Sequence, residues 1–249
     1  RHTTIRRIVG DIQKIHKPAL TLMLGDQVYL DLPTLMNFKN DLRWLSAKFE
    51  EDYRKNWFDE GGFSHILSAA PSVSMPDDHE YWNNFPHLSP IIQNSFSVRG
   101  RNNWTDAART MYEAFQLPVA GRLGAPVIIH IPPLSLFLAD TRTFRDPGFR
   151  RSMDGPSLAA LSDWVDRVNA SGWRGVFVSG QSLLNRASGV HAVKFTDYEL
   201  ADYADYAPIM RHLGRLEQSG VLVTGDVHWG RIVEGADGIR GRSLWEVIS

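Results

Sequence analysis

One recurring pair of features narrows the folding options of this sequence more than any other. A short, nearly unbroken apolar run is followed at once by a cluster of Gly, Asp, His, Gln or Arg. The pair occurs at residues 19–24 before Gly25-Asp26-Gln27-Val28-Tyr29, and more weakly, where serines interrupt the run, at Ser72–Met75 before Pro76-Asp77-Asp78-His79-Glu80. It recurs at Leu134–Ala139 before Asp140-Thr141-Arg142, at 175–178 before Ser179-Gly180-Gln181, and at 221–223 before Gly225-Asp226-Val227-His228. Apolar runs this short, without polar alternation, are expected of strands covered on both faces.

Helical spacing fills the intervals. Ile5, Ile8, Val9, Ile12 and Ile15 form a stripe that Pro18 ends, and Leu35, Phe38, Leu42, Leu45, Phe49, Tyr53 and Trp57 form a longer one. Leu158, Leu161, Trp164, Val165 and Val168 mark a third helix, and Ile209, Leu213 and Leu216 a fourth, with Gly220 as its expected terminator. Residues 83–108, rich in Asn, Pro, Ser and Arg, read as a long irregular excursion. Alternating helices and apolar strands predict an α/β fold. Pro132-Pro133, between two apolar runs, predicts a hairpin and hence a mixed sheet. The last residues, 245–249, read as a strand cut in the middle. The expectation is one domain over 1–249 that lacks pieces at both ends.

Composition removes several function classes. A net charge of −1 gives no basis for general nucleic-acid binding or a polybasic membrane tether. No apolar run approaches the ~18 residues of a membrane span. With no cysteine there is neither a disulfide nor a thiolate ligand or nucleophile among these residues. No signal pattern is visible at Arg1, so localisation stays open between cytoplasmic and exported, and oligomeric state is equally open.

The chemistry collects at the strand ends, where open α/β sheets bind ligands. A common sheet would bring all five endings to one rim. Asp26, Asp78, Asp140 and Asp226, with His79 and His228, then offer oxygen and nitrogen ligands, Tyr29 a phenolate and Arg142 a fixed cation. Asp226 and His228 lie two apart and share a face in an extended segment. Such a donor set suits two divalent or trivalent ions, a device for phosphoester hydrolysis. Each residue alone has a plainer reading. Gly-Asp can be turn chemistry, Asp77-Asp78 helix caps, Tyr29 core, Arg142 an ion-pair partner, and Gln181 a partner for buried backbone. No G-x-S-x-G elbow, P-loop or G-x-G-x-x-G fingerprint competes.

L-G-D-Q-V-Y-L-D at 24–31, D-D-H-E-Y-W-N-N at 77–84, A-D-T-R-T-F-R at 139–145 and T-G-D-V-H at 224–228 together resemble the PhoD-like phosphatases. These form a branch of the calcineurin-like metallophosphoesterases. The resemblance implies a four-layer αββα sandwich of mixed sheets with a dinuclear centre at the strand ends. It implies Asp26 as the carboxylate bridging both metals, Tyr29 and His228 as ligands of the first, and Asp78 and Asp226 as ligands of the second. It also implies that His79 contacts phosphoryl oxygens and protonates the leaving group, and that Arg142 is similar to a phosphate-facing arginine. The implied metals are Fe3+ with Ca2+, or Mn2+, Zn2+ or Mg2+ in relatives.

The family's first motif, which carries a Ser-Cys pair, either lies upstream of Arg1 or is lacking. The function so read is a binuclear phosphoesterase that hydrolyses small-molecule phosphomonoesters or phosphodiesters by in-line attack of a metal-bound hydroxide. Two alternatives remain: a degenerate member that binds a phosphorylated ligand or partner without turnover, and another hydrolytic or condensation reaction at the same centre. Tyr81, Trp82, Asn83, Asn84 and Trp104 are expected either to line a pocket for an aromatic or sugar-bearing leaving group or to pack the rim.

Overall fold

The eight strands among the described residues of the computed structural model fall into two sheets. It describes residues 8, 10–12, 14–33, 37–59, 62–118, 121–185, 198–225, 230–237 and 242–248. The smaller sheet pairs β1 (Thr21–Leu24) with β2 (Ser72–Met75) in parallel, with Leu24 beside Met75. The larger sheet comprises β3 (Val127–Ile131), β4 (Leu134–Ala139), β5 (Arg174–Ser179), β6 (Gly220–Thr224), β7 (Arg231–Asp237) and β8 (Arg242–Ile248). Its order is β3-β4-β5-β6-β8-β7, parallel from β4 to β8 and antiparallel at both edges. The sheet is therefore mixed, as the Pro132-Pro133 hairpin predicts.

Period-two alternation shows how the apolar runs are used. Leu136, Leu138 and Val178 face the smaller sheet and pack on Met75, with Leu22, Leu24 and Val73 against them. Their neighbours Phe137, Ala139, Phe177 and Leu222 face the opposite way, onto Leu161, Trp164, Val165 and Val168 of α4 (Gly155–Ser171) and Ile209 and Leu213 of α5 (Tyr206–Leu213). The other outer layer is α1 (Leu42–Phe58) against α3 (Val98–Phe115), packed through Leu45, Phe49, Tyr53 and Trp104. The Tyr112 hydroxyl on α3 donates to the Ser74 carbonyl at 3.2 Å and ties this layer to β2. Helices, small sheet, large sheet, helices: this is the expected αββα order.

Four local expectations change. In the second stripe Leu35 lies outside the described residues, and the helix starts at Leu42, because Asp41 accepts from the Trp44 N–H; Phe38 still enters the core, from non-helical chain. The supposed irregular stretch 83–108 ends in α3. Ser97 caps this helix, and Trp104, Ala107, Ala108, Met111 and Tyr112 form its buried stripe. Gly220 does not terminate a helix. α5 stops at Leu213, and Gly220 opens β6 against Leu216 and Leu244. A short helix, α2 (Ser64–Ala69), was not anticipated. In the first stripe residues 8, 10–12 and 14–16 are helical, but Ile8, Ile12 and Ile15 are exposed.

Candidate metal centre

Flush strand ends bring the polar segments together across the two sheets. The chain leaves β1 through Gly25 and Asp26, both left-handed, at φ +91° and +59°. A side chain at Gly25 would put its Cβ 2.5 Å from Cβ of Asp77, so only glycine lets the β1 and β2 turns touch. From the larger sheet, Gly225 at the end of β6 approaches as closely, and a Cβ there would lie 2.4 Å from the Leu24 carbonyl oxygen. Three strand ends thus meet at one place although they belong to two sheets.

Glu80 fastens the two small-sheet turns. Its Oε2 accepts from the Asp26 and Asp77 N–H groups at 3.0 and 2.8 Å, and its Oε1 from Gln27 and Val28 at 2.8 and 3.4 Å. Burial and the Asp26 charge raise its pKa, while the backbone N–H groups oppose that rise. Four N–H donors on two oxygens suit the carboxylate form. The held turn keeps Asp26 in a backbone region that costs a non-glycine residue roughly 1–2 kcal/mol.

Around this clamp, ligand atoms of Asp26, Asp78 and His79 lie within 4.8 Å of one another. The Tyr29 hydroxyl donates to Asp26 Oδ2 at 3.2 Å, and its ring leans on His79 with centroids 4.2 Å apart. His79 Nδ1 is 2.8 Å from Oδ1 of fully buried Asp31, whose Oδ2 accepts the Asn83 N–H. Asp78 Oδ2 accepts the Asn84 N–H at 2.6 Å. Asn84 sits at φ +67°, and its buried Oδ1 has no hydrogen-bond partner among the described residues.

The charges are unbalanced. Burial opposes protonated His79, yet the Asp31 hydrogen bond and the Asp78, Asp31 and Asp26 charges outweigh it and raise the pKa to about 10. Burial first, and then Asp26, push the Tyr29 phenol well above its ordinary value. Carboxylate oxygens, a phenol and an imidazole, gathered with surplus negative charge, are a donor set that fits hard or borderline cations.

The remaining endings differ. Asp140 turns back on its own chain, accepting the Arg142 and Thr143 N–H groups. Gln181 accepts from Arg145. Arg142, expected to face a phosphate, has no exposed surface. Its Nε and Nη2 reach Asp77 Oδ1 at 2.7 and 2.6 Å, and its Nη1 donates to the Phe85 carbonyl. The guanidinium is spent inside the protein because Asp77, equally buried, requires a counter-charge there. Asp226 and His228 lie outside the described residues. They follow Gly225, which is described and which abuts Leu24.

A cleft of about 650 Å³ opens from Asp26 and Tyr29 toward Lys48, Asp52 and Lys55 of α1. Tyr81, Trp82 and Trp104 are buried in the α1–α3 core, so packing rather than a ligand pocket accounts for them. Sequence reading gave no role to Asp31 or Glu80, and placed Asn84 only in a leaving-group pocket or the rim. Asp31 closes the quoted L-G-D-Q-V-Y-L-D motif. Asp77 and Glu80 form the D-x-x-E pattern of a capping box, a readable signal that one carboxylate would bind backbone here.

No family model matches the chain. No curated protein matches it either. Among solved structures its fold is similar to a purple acid phosphatase isolated from yellow lupin (Lupinus luteus) seeds, with TM-score 0.58 and 12% identity over 99% of this chain and 39% of that one. It is also similar to a dimetal phosphatase from Danio rerio, with TM-score 0.55 and 9% identity over 99% of this chain and 76% of that one. The chain thus spans about two fifths of the lupin protein's length. At these identities the likeness concerns the fold alone.

Proposed function

We propose that the chain is a metal-dependent phosphoester hydrolase of the PhoD-like kind, acting on small-molecule phosphomonoesters or phosphodiesters through a binuclear centre. The observation that carries this reading is the convergence of Asp26, Tyr29, Asp78 and His79 from two strand ends into one negatively charged cluster. Its support is that the fold resembles phosphatases, one of them described as a dimetal enzyme.

In this reading Asp26, Tyr29 and Asp78, with Asp226 and His228, would hold the two cations. The phenolate and carboxylate donors suit Fe3+ paired with Ca2+, with Mn2+, Zn2+ or Mg2+ as substitutes. Bound there, the ions supply Lewis acidity toward phosphoryl oxygens and lower the pKa of water. The chain's own residues do the rest. Asp31 fixes the His79 ring through Nδ1, which leaves Nε2 to hold and deliver the leaving-group proton. Arg142 acts through Asp77, neutralising it so that the Asp77-Asp78 turn can stay buried. The cleft toward α1 accommodates the leaving group.

Metal content and turnover of an aryl phosphate test this. Asp26→Asn is expected to lower both metal affinity and kcat by more than about 100-fold. Full activity in a metal-free Asp26→Asn protein would overturn the proposal. Tight metal binding by the wild type with no turnover across phosphomonoesters and phosphodiesters would identify the non-catalytic alternative.

A further inference from the structure

A line of buried polar groups runs from the outer helices to the ligand-bearing turns. The Tyr53 hydroxyl on α1 donates to Oε1 of Gln116, the residue that ends α3, at 2.7 Å. Gln116 Nε2 donates to Gln27 Oε1 at 2.7 Å and approaches Glu80 Oε1 at 3.5 Å. Gln27 and Glu80 are the groups beside and beneath Asp26: Glu80 accepts the Asp26 and Gln27 N–H groups, and the Gln27 carboxamide N–H donates to the Gly25 carbonyl. All four side chains are buried.

The orientation of each amide is fixed by its neighbours. Turning the Gln116 carboxamide over would set its oxygen against the Glu80 carboxylate. Turning Gln27 over would set its oxygen against the Gly25 carbonyl. The line therefore has one arrangement. It is set within aromatic packing, with the Tyr53 ring 5.3 Å from Trp57 and 5.0 Å from Phe115. Apolar side chains would fill that space without polar groups that must be satisfied.

We propose that Gln116 and Tyr53 are positioning residues of the metal centre, holding the Asp26 turn in register with the Asp78 turn through Gln27 and Glu80. The inference rests on the functional reading above. Neither residue touches a metal or substrate in it. Tyr53 acts through Gln116, so the effects of removing the two do not add.

The test uses the full chain, stripped with a chelator and titrated with Mn2+, with free and bound metal read by electron paramagnetic resonance and Tm by circular dichroism. Gln116→Leu is expected to weaken Mn2+ binding about 10–100-fold. Tyr53→Phe should weaken it several-fold, and the double variant should match Gln116→Leu alone. Tyr112→Phe is the control, since it removes a buried hydroxyl from the same helix layer, one that bonds only to the Ser74 carbonyl of β2 among the contacts described. It should leave Mn2+ affinity unchanged. Wild-type affinity in Gln116→Leu, additive losses in the double variant, or an equal loss in Tyr112→Phe would each overturn the inference. If Gln116→Leu does not fold, unchanged affinity in Tyr53→Phe overturns it. A wild-type chain that binds no Mn2+ would overturn the functional reading and this inference together, whereas the variant results bear on the inference alone.

Discussion

At the end of β2, Asp78 brings its carboxylate to Asp26 and His79, with ligand atoms inside 4.8 Å. At the end of β4, Asp140 spends its carboxylate on its own turn, accepting N–H groups of Arg142 and Thr143 at 3.0 and 2.8 Å. Both residues are buried, and both follow an apolar strand. The difference lies in what surrounds them. Around Asp78 stand further acids, Asp26, Asp31 and Glu80, held close to one another by the turn and by His79. Around Asp140 the partners are its own turn, with Arg109 nearby as a favourable charge; burial raises the pKa of Asp140, and its charge raises those of Tyr81 and Tyr112. A polar strand end is a candidate site where charge is left unbalanced, and a structural turn where it is consumed. Substitutions should therefore cost stability at the β4 end and metal binding at the β1 and β2 ends.

Arg142 gives the largest expected effect. Arg142→Met leaves the Asp77 carboxylate buried without its guanidinium, and losing one partner of a buried pair costs about 3–5 kcal/mol. Urea unfolding of the chelated protein measures it. A variant of unchanged stability that loses only phosphatase turnover would break the comparison, and would return Arg142 to the phosphate-facing role the motif implies.

Asp140→Ala comes next. It strands two buried N–H donors, at an expected cost of about 1–3 kcal/mol in the same unfolding experiment. Mn2+ affinity in the folded fraction should be unchanged. A loss of affinity comparable to that of Asp26→Asn would place Asp140 in the centre and erase the contrast between the two ends.

Apart from β7, which nothing in the sequence reading anticipated, the described strands, their covered faces and the mixed sheet were legible because each depends on local pattern. A run such as Leu134–Ala139 needs apolar contacts on both sides, and it has them in two different cores. The division into two sheets was legible only through the family resemblance, since pairing of Thr21 with Ser72 is a long-range choice that no local residue encodes. The helix α3 was masked by its polar first turns, Arg99 to Asn103, although its stripe from Trp104 onward has helical spacing. Within the site, the D-x-x-E pattern could have identified Glu80 as a backbone clamp. The fate of Arg142 could not be read. An arginine suits a phosphate and a buried carboxylate equally, and its contact with Asp77 joins residues 65 apart in sequence.

The smallest expected effect is also the one that reverses sign. In chelator, Asp26→Asn removes a negative charge that raises the Glu80 pKa, while an amide still tolerates the left-handed backbone and still accepts from Tyr29. The repulsion from Asp26 is the leading charge effect on Glu80, whereas its attraction for His79 is the weakest of the three carboxylates there, so the variant should be more stable than the wild type. With Mn2+ at 100 times its Kd the wild type gains about 2.7 kcal/mol from binding, a gain the weakly binding variant lacks. The order of stabilities should then invert. Asp140→Ala, by contrast, should remain below the wild type in both conditions. Urea midpoints of the three proteins with and without Mn2+ decide the matter. If Asp26→Asn proves less stable than the wild type even in chelator, Asp26 is a structural turn residue like Asp140, and the two strand ends are alike after all.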